Sequence, residues 1–126
     1  MSDVDLIRRA AALMRERAEA ATPGPWSQHT AEAAADTVIF AGREWVTNIE
    51  NCPSIGEHMR TPGGSICTDQ ALPNGEHIAS WHPAVALAVA DLLERSARTK
   101  FVTFGGGLHV DQDALAVARA YLGEAS

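Results

Sequence analysis

Apolar and polar positions follow two periods along this chain, one helical and one of alternation, and the changes between them delimit the predicted elements. Ile7, Ala10, Ala11, Met14, Ala18 and Ala21 recur at helical spacing, with Arg8, Arg15, Glu16 and Glu19 elsewhere on the wheel, which predicts a helix over 3–21. Ser2 followed by Asp5 is a capping-box-like start, and Arg15 with Glu19 is an i,i+4 ion pair. Thr22-Pro23-Gly24-Pro25-Trp26 stops this helix, because two prolines around a glycine cannot continue it. Trp26 opens a strand to about Thr30 and is expected to pack back on the helix just left; a ligand-stacking platform is the alternative. Residues 31–36 fit a helical turn or a loop.

Two β-rich runs follow, Thr37–Ala41 and Glu44–Glu50, around a Gly42-Arg43 hairpin turn. Strict alternation along the second run puts Trp45, Thr47 and Ile49 on one face and Val46, Asn48 and Glu50 on the other. From Asn51 to Pro73 periodicity dissolves into a long loop with a brief strand at Ser65–Thr68. Loops of that length in a compact domain are functional or mobile, so this one is the first place to look for a site.

The chain then reads as a short helical lead-in from Asn74, a turn at Trp81-His82-Pro83 and a long helix to about Ser96, together a core helix over 76–97. Proline at the first helical position suits a residue whose N–H needs no partner. Ala84 to Ala90 carries no polar side chain, and a helix apolar all round is a buried one. Lys100–Phe104 and Leu108–Val110 form strands about Gly105-Gly106-Gly107. Asp111 or Asp113 caps a last helix with Ala114, Leu115, Val117, Ala118, Tyr121 and Leu122 as its apolar stripe, and Gly123 supplies a left-handed C-cap.

At 126 residues this is one domain, and a 46% hydrophobic, 21% charged composition is that of a globular protein. The net charge of −6 opposes nucleic-acid binding and docking on an anionic membrane. Residues 1–21 are neutral, with four arginines and four acids, so the whole excess lies in residues 22–126. No run reaches the ~20 apolar residues of a membrane span. The first twenty residues do not read as a secretory signal, so a cytoplasmic setting with Cys52 and Cys67 reduced is expected.

Five metal-competent residues, Cys52, His58, Cys67, His77 and His82, are separated by five, eight, nine and four residues. Zinc sites usually build half their shell from a close CxxC or HxxxH pair, which is missing here. A metal set of Cys52, His58, Cys67 and His77 is kept only as the alternative, and no metal or other cofactor is expected. No GxSxG elbow surrounds a serine and neither cysteine has a nucleophile signature. Gly105–Gly107 could cradle a phosphate, but it lacks GxGxxG and a P-loop lysine, and Asp111 and Asp113 would oppose an anion. Glu76, His77, Trp81 and His82 cluster before the core helix; the histidines either form a pH-sensitive pair or cap helix ends and satisfy buried carbonyls.

Two segments together, Thr22-Pro23-Gly24-Pro25-Trp26 after an N-terminal helix and His77-Ile78-Ala79-Ser80-Trp81-His82-Pro83-Ala84-Val85 before a core helix, carry a likeness. The chain resembles a group of small actinobacterial and actinophage proteins built as helix, TPGPW turn, variable β-rich middle and HIA…PA helix, and Ala114–Glu124 is similar to some members. The resemblance covers about half the chain and leaves out Ser27–Pro73. It implies a scaffold and a genomic setting, and no catalytic residues to transfer.

These readings predict an α+β fold with about three helices packed on one face of a small, mainly antiparallel sheet. The function expected is a non-enzymatic binding protein, an accessory protein of a phage or mobile element, acting through a protein partner or a small ligand. Its contact surface would be the sheet's other face and the Asn51–Pro73 loop, with Trp45, His58, Arg60, Glu76, His77, Trp81 and His82 as candidate contact residues and Trp45 as the anchor. The competing class is a small metal-assisted hydrolase using some of His58, Cys67, His77 and His82. A structural homo-oligomer that buries Ala84–Ala90 between subunits is the third.

Overall fold

The computed structural model describes residues 1–30, 36–51, 59–60, 66–68, 70–102 and 106–123. In chain order they form α1 (Asp3–Ala20), β1 (Trp26–Thr30), β2 (Thr37–Ala41), β3 (Glu44–Asn51), β4 (Met59–Arg60), β5 (Ile66–Thr68), α2 (Ala71–Ser80), α3 (Pro83–Arg98), β6 (Phe101–Val102), β7 (Leu108–His109) and α4 (Gln112–Leu122). The class is the expected α+β. The chain divides into two compact units, a helical one of Met1–Ala21 with Ala84–Ser126 and a β-rich one of Thr22–Pro83. Among the described residues no helix is long and apolar enough to cross a membrane.

In the helical unit one hydrophobic cluster joins α1, α3 and α4. Leu6, Ile7, Ala10, Ala11 and Met14 come from α1, Ala90, Leu93 and Ala97 from α3, and Ala114, Leu115 and Ala118 from α4, with Val110 completing it. Six of these twelve side chains are alanines, so the helix backbones can approach closely. Ala84–Ala90 is not buried all round: α3 buries Ala86, Ala90, Leu93 and Ala97 at helical spacing, while Ala84 and Ala88 are exposed and Leu92 is 56% exposed. Alanine forms helix well and loses little by facing water, so a polar-free stretch does not require a partner on every side. Val117, assigned above to the apolar stripe of α4, is likewise exposed.

Charged groups join the same helices. Arg15 does not pair with Glu19; its Nη2 lies 2.9 Å from both Asp91 Oδ1 and Glu94 Oε1, because two carboxylates one turn apart on α3 offer a better fork than one on its own helix. Asp111 caps α4 by accepting from the Asp113 and Ala114 N–H groups, and Gly123 ends it in the left-handed region at φ 73°. At the start of α1 the Ser2 hydroxyl donates to Asp5 Oδ2 (2.7 Å) and its oxygen accepts from the Asp5 N–H (3.1 Å). The Ser2 side chain, then its backbone and Arg8, hold the Asp5 carboxyl below its ordinary pKa. A depressed carboxyl stabilises the fold above its unfolded pKa, and that contribution is lost as pH falls through the folded one. Ser2→Ala should therefore raise the Asp5 pKa towards its ordinary value in a carbon-detected NMR titration; an unchanged value would remove the serine as the cause.

The β-rich unit is a mixed sheet in the order β1-β2-β3-β5-β4, antiparallel except where β5 runs parallel to β3. The Gly42-Arg43 hairpin forms as predicted, with Gly42 taking the left-handed φ of 64° that the turn needs. The Trp26 indole N–H donates to the Thr22 carbonyl (2.9 Å), so the ring closes its own proline-rich turn. Gly24 lies against His82: a Cβ there would stand 3.0 Å from His82 Nδ1. The two motifs that carry the resemblance are therefore neighbours in space.

The segment 51–73 contains β4, β5 and the start of α2. The helical lead-in begins at Ala71 and ends at Ser80, and Trp81 and His82 separate it from α3, so the span 76–97 is two helices. Pro73 is accommodated because the first α2 amide that requires a helical acceptor is the next one, Asn74 N–H to Gln70 O at 2.9 Å. α2 packs on β1, β2 and β3 through Ala71, Gly75 and Ala79. Under Gly75 lies Thr37, fully buried, its Oγ1 without a hydrogen-bond partner among the described residues. Replacing that hydroxyl by a methyl removes an unpaid desolvation cost. Thr37→Val should raise stability by about 1 kcal/mol in denaturant unfolding; a loss would mean that the hydroxyl has a partner after all.

Candidate functional site

The pairing register sorts the sheet's side chains into two faces. Trp26, Gln28 and Thr30 pair with Ala41, Ile39 and Thr37, and Ile39 and Thr37 pair onward with Thr47 and Ile49. Paired residues point the same way, so these form one face, and it is the face that α2 covers: a Cβ on Gly75 would meet Thr37 and, at 3.5 Å, Gln28 Cγ. Ser27, His29, Val38, Phe40 and Asn48 form the other face.

Trp45 departs from the expected alternation. The ladder shifts between Ile39 and Phe40: Ile39 pairs with Thr47 but Phe40 pairs with Trp45, which leaves Val46 as an extra, unpaired residue. This is a β-bulge, and it reverses the parity of what precedes it. Trp45 therefore does not share a face with Thr47 and Ile49. It stands beside Phe40 on the face opposite α2, with 60% of its surface exposed.

That face is a small amphipathic platform. The His29 ring meets Phe40 edge-on at 5.7 Å, and His29 Nε2 lies 3.0 Å from Ser27 Oγ. Val38, Phe40 and Asn48 are half-buried, Ser27 and His29 exposed. Glu50 follows Asn48 on the same face by alternation and has no ion-pair partner among the described residues. An exposed tryptophan beside a half-buried phenylalanine, rimmed by a hydroxyl, an imidazole, an amide and a carboxylate, has the make-up of a recognition surface.

The other candidate residues separate from this face. Glu76, His77, Trp81 and His82 belong to α2 and its C-terminal turn, on the side of the sheet that α2 covers, so they and Trp45 do not make one site. Glu76 and His77 are exposed and Trp81 is 39% exposed. It is Ser80, whose hydroxyl donates to the His77 carbonyl (2.6 Å), that serves the end of α2. His82 satisfies no carbonyl through Nδ1, which is buried without a partner among the described residues, turned against Gly24 instead. Arg60 and Cys67 are placed by strand register alone, Arg60 opposite Ile66 and Cys67 between Met59 and Glu50. Cys52 and His58 lie outside the described residues. Among those described, no group of three histidines, cysteines or carboxylates could hold a metal ion.

Sequence reasoning missed His29, Phe40 and Glu50 as companions of Trp45. The hairpin register could have paired Phe40 with residue 45 or 46, but nothing in the period-two pattern marks Val46 as the residue to leave out. The helical unit offers a shallow cleft of about 260 Å³ lined by Arg8, Glu94 and Arg98, whose carboxylate Arg15 already engages. The chain matches no protein-family model, no curated protein and no solved structure.

Proposed function

We propose that the chain is a non-enzymatic binding protein that holds a protein partner through the sheet face opposite α2, with Trp45 as anchor. The observation that carries this reading is the placement of Trp45: 60% exposed, and set beside Phe40 by the Val46 bulge instead of under α2. Solvation of so large an apolar ring is unfavourable, and a bulge that re-aims a side chain is typically a functional feature of a sheet. The resemblance described above adds the setting of an accessory protein of a phage or mobile element.

The test is capture by the immobilised full chain from extracts of its host, run in parallel with Trp45→Ser. A partner retained by the wild type and lost with the variant, whose circular dichroism is unchanged, supports the reading. Equal retention by both would sink it.

A further inference from the structure

The charge of the β-rich unit adds what the face alone does not say, the chemistry of its partner. Residues 22–83 hold seven carboxylates against two arginines, five of the six excess negative charges of the chain. On the exposed sheet face Glu50 is half-buried and without a cationic partner among the described residues. At its other end the face carries Trp45 with Phe40 directly opposite across the ladder. In the turn beyond them, Arg43 and Glu44 are both exposed and offset one another. A partner segment crossing from the aromatic pair to Glu50 thus meets a π surface at one end and an unneutralised carboxylate at the other.

Both features favour the same charge. The face of an indole attracts a cation, a guanidinium above all because it is planar and weakly hydrated, and a carboxylate that is already half-desolvated gains most from a cation brought to it. An acidic segment would be repelled by the field of the whole unit, and a neutral one would leave Glu50 unpaired in the contact. We infer, resting on the reading of the sheet face as the contact surface, that this face receives an extended segment of a protein partner bearing two basic side chains. One is an arginine stacked on Trp45 and the other pairs with Glu50. Four residues of strand, one of them the bulged Val46, lie between Trp45 and Glu50, a span of roughly 15 Å, so the segment is about five residues long with its basic residues at the ends.

The probe is the peptide acetyl-Arg-Ser-Leu-Ser-Arg-amide, which in extended form projects both arginines and the leucine to one side. Its control replaces both arginines by citrulline, which keeps the planar shape, exchanges one amino group for a carbonyl oxygen and removes the charge. Each is titrated into the ¹⁵N-labelled full chain, following the Trp45 indole N–H and the Glu50 amide. The expected result is saturable movement of both signals with the arginine peptide, binding about threefold or more weaker for the citrulline peptide, and a similar weakening with Trp45→Leu and with Glu50→Gln. Equal affinity for the two peptides would overturn the cationic partner while leaving the face as a contact surface. Shifts scattered over the acidic surface, or none that saturate at Trp45, would overturn it as well. Host-partner capture indifferent to Trp45 is the separate result that removes the face itself.

Discussion

Gly75→Ala should destabilise the β-rich unit by about 1–2 kcal/mol, the opposite of what helix propensity forecasts. Glycine inside a helix is worse than alanine by about 1 kcal/mol, so on an open surface the substitution would stabilise. Here the added methyl would overlap Thr37 Cγ2 and stand 3.0 Å from Thr37 Cβ. Thr37 cannot turn aside: it is fully buried, and its β-branched side chain has few rotamers. The helix must lift from the sheet, and the cost of that opening exceeds the propensity gained. All three tryptophans, Trp26, Trp45 and Trp81, lie in the β-rich unit, so denaturant unfolding read by fluorescence reports on this unit alone. Thr37→Ala in the same background should recover part of the loss, because the Cγ2 overlap disappears while the Cβ contact remains. A double-mutant cycle would then show favourable coupling of about 1 kcal/mol. Stabilisation by Gly75→Ala would mean that α2 does not lie as close to β2 as described.

The second large effect is on binding. Trp45→Ala should weaken partner binding by about 2 kcal/mol or more, roughly thirtyfold, while changing stability by less than about 0.5 kcal/mol. The two numbers separate because an indole 60% exposed contributes little to the protein's own core and most of its area is left for a partner. Titration calorimetry with the captured partner measures the first, and the fluorescence of Trp26 and Trp81 through denaturation measures the second. A stability loss of the same size as the binding loss would show that Trp45 supports the fold, and the anchor role would fall.

The parts of this protein that follow from local rules are legible in its sequence. The strand boundaries Trp26–Thr30 and Thr37–Ala41, the hairpin at Gly42-Arg43, the Ser2 cap, an aspartate cap narrowed to Asp111 or Asp113 and the Gly123 terminus each depend on one or two residues with strong conformational preferences. What was illegible depends on pairing across distance. Arg15 has acidic neighbours on its own helix and takes others 76 and 79 positions away, a choice made by how α1 and α3 meet. The start of α2 was hidden by Pro73, which reads as a breaker until the first turn of the helix is known to need no amide there. The candidate site was half legible. An aromatic anchor at Trp45 could be named from β-strand composition, but its side of the sheet depends on a single unpaired residue, and alternation assigns it to the wrong one.

The contact between Gly24 and His82 has a consequence for how the polypeptide is made. The β-rich unit leaves the helical one after Ala21 and returns to it at Ala84, and its two ends meet. It is an uninterrupted piece of chain set inside a discontinuous one. As synthesis proceeds from the N-terminus, everything this unit contacts within itself has emerged once Pro83 has left the ribosome. The apolar stripe of α1, though made earlier, can be covered only after α3 and α4 follow. By then the intervening segment can already be folded, with its ends together, so the entropy of closing so long a loop falls to little more than that of a tight turn. The order of assembly thus runs from the β-rich unit outwards.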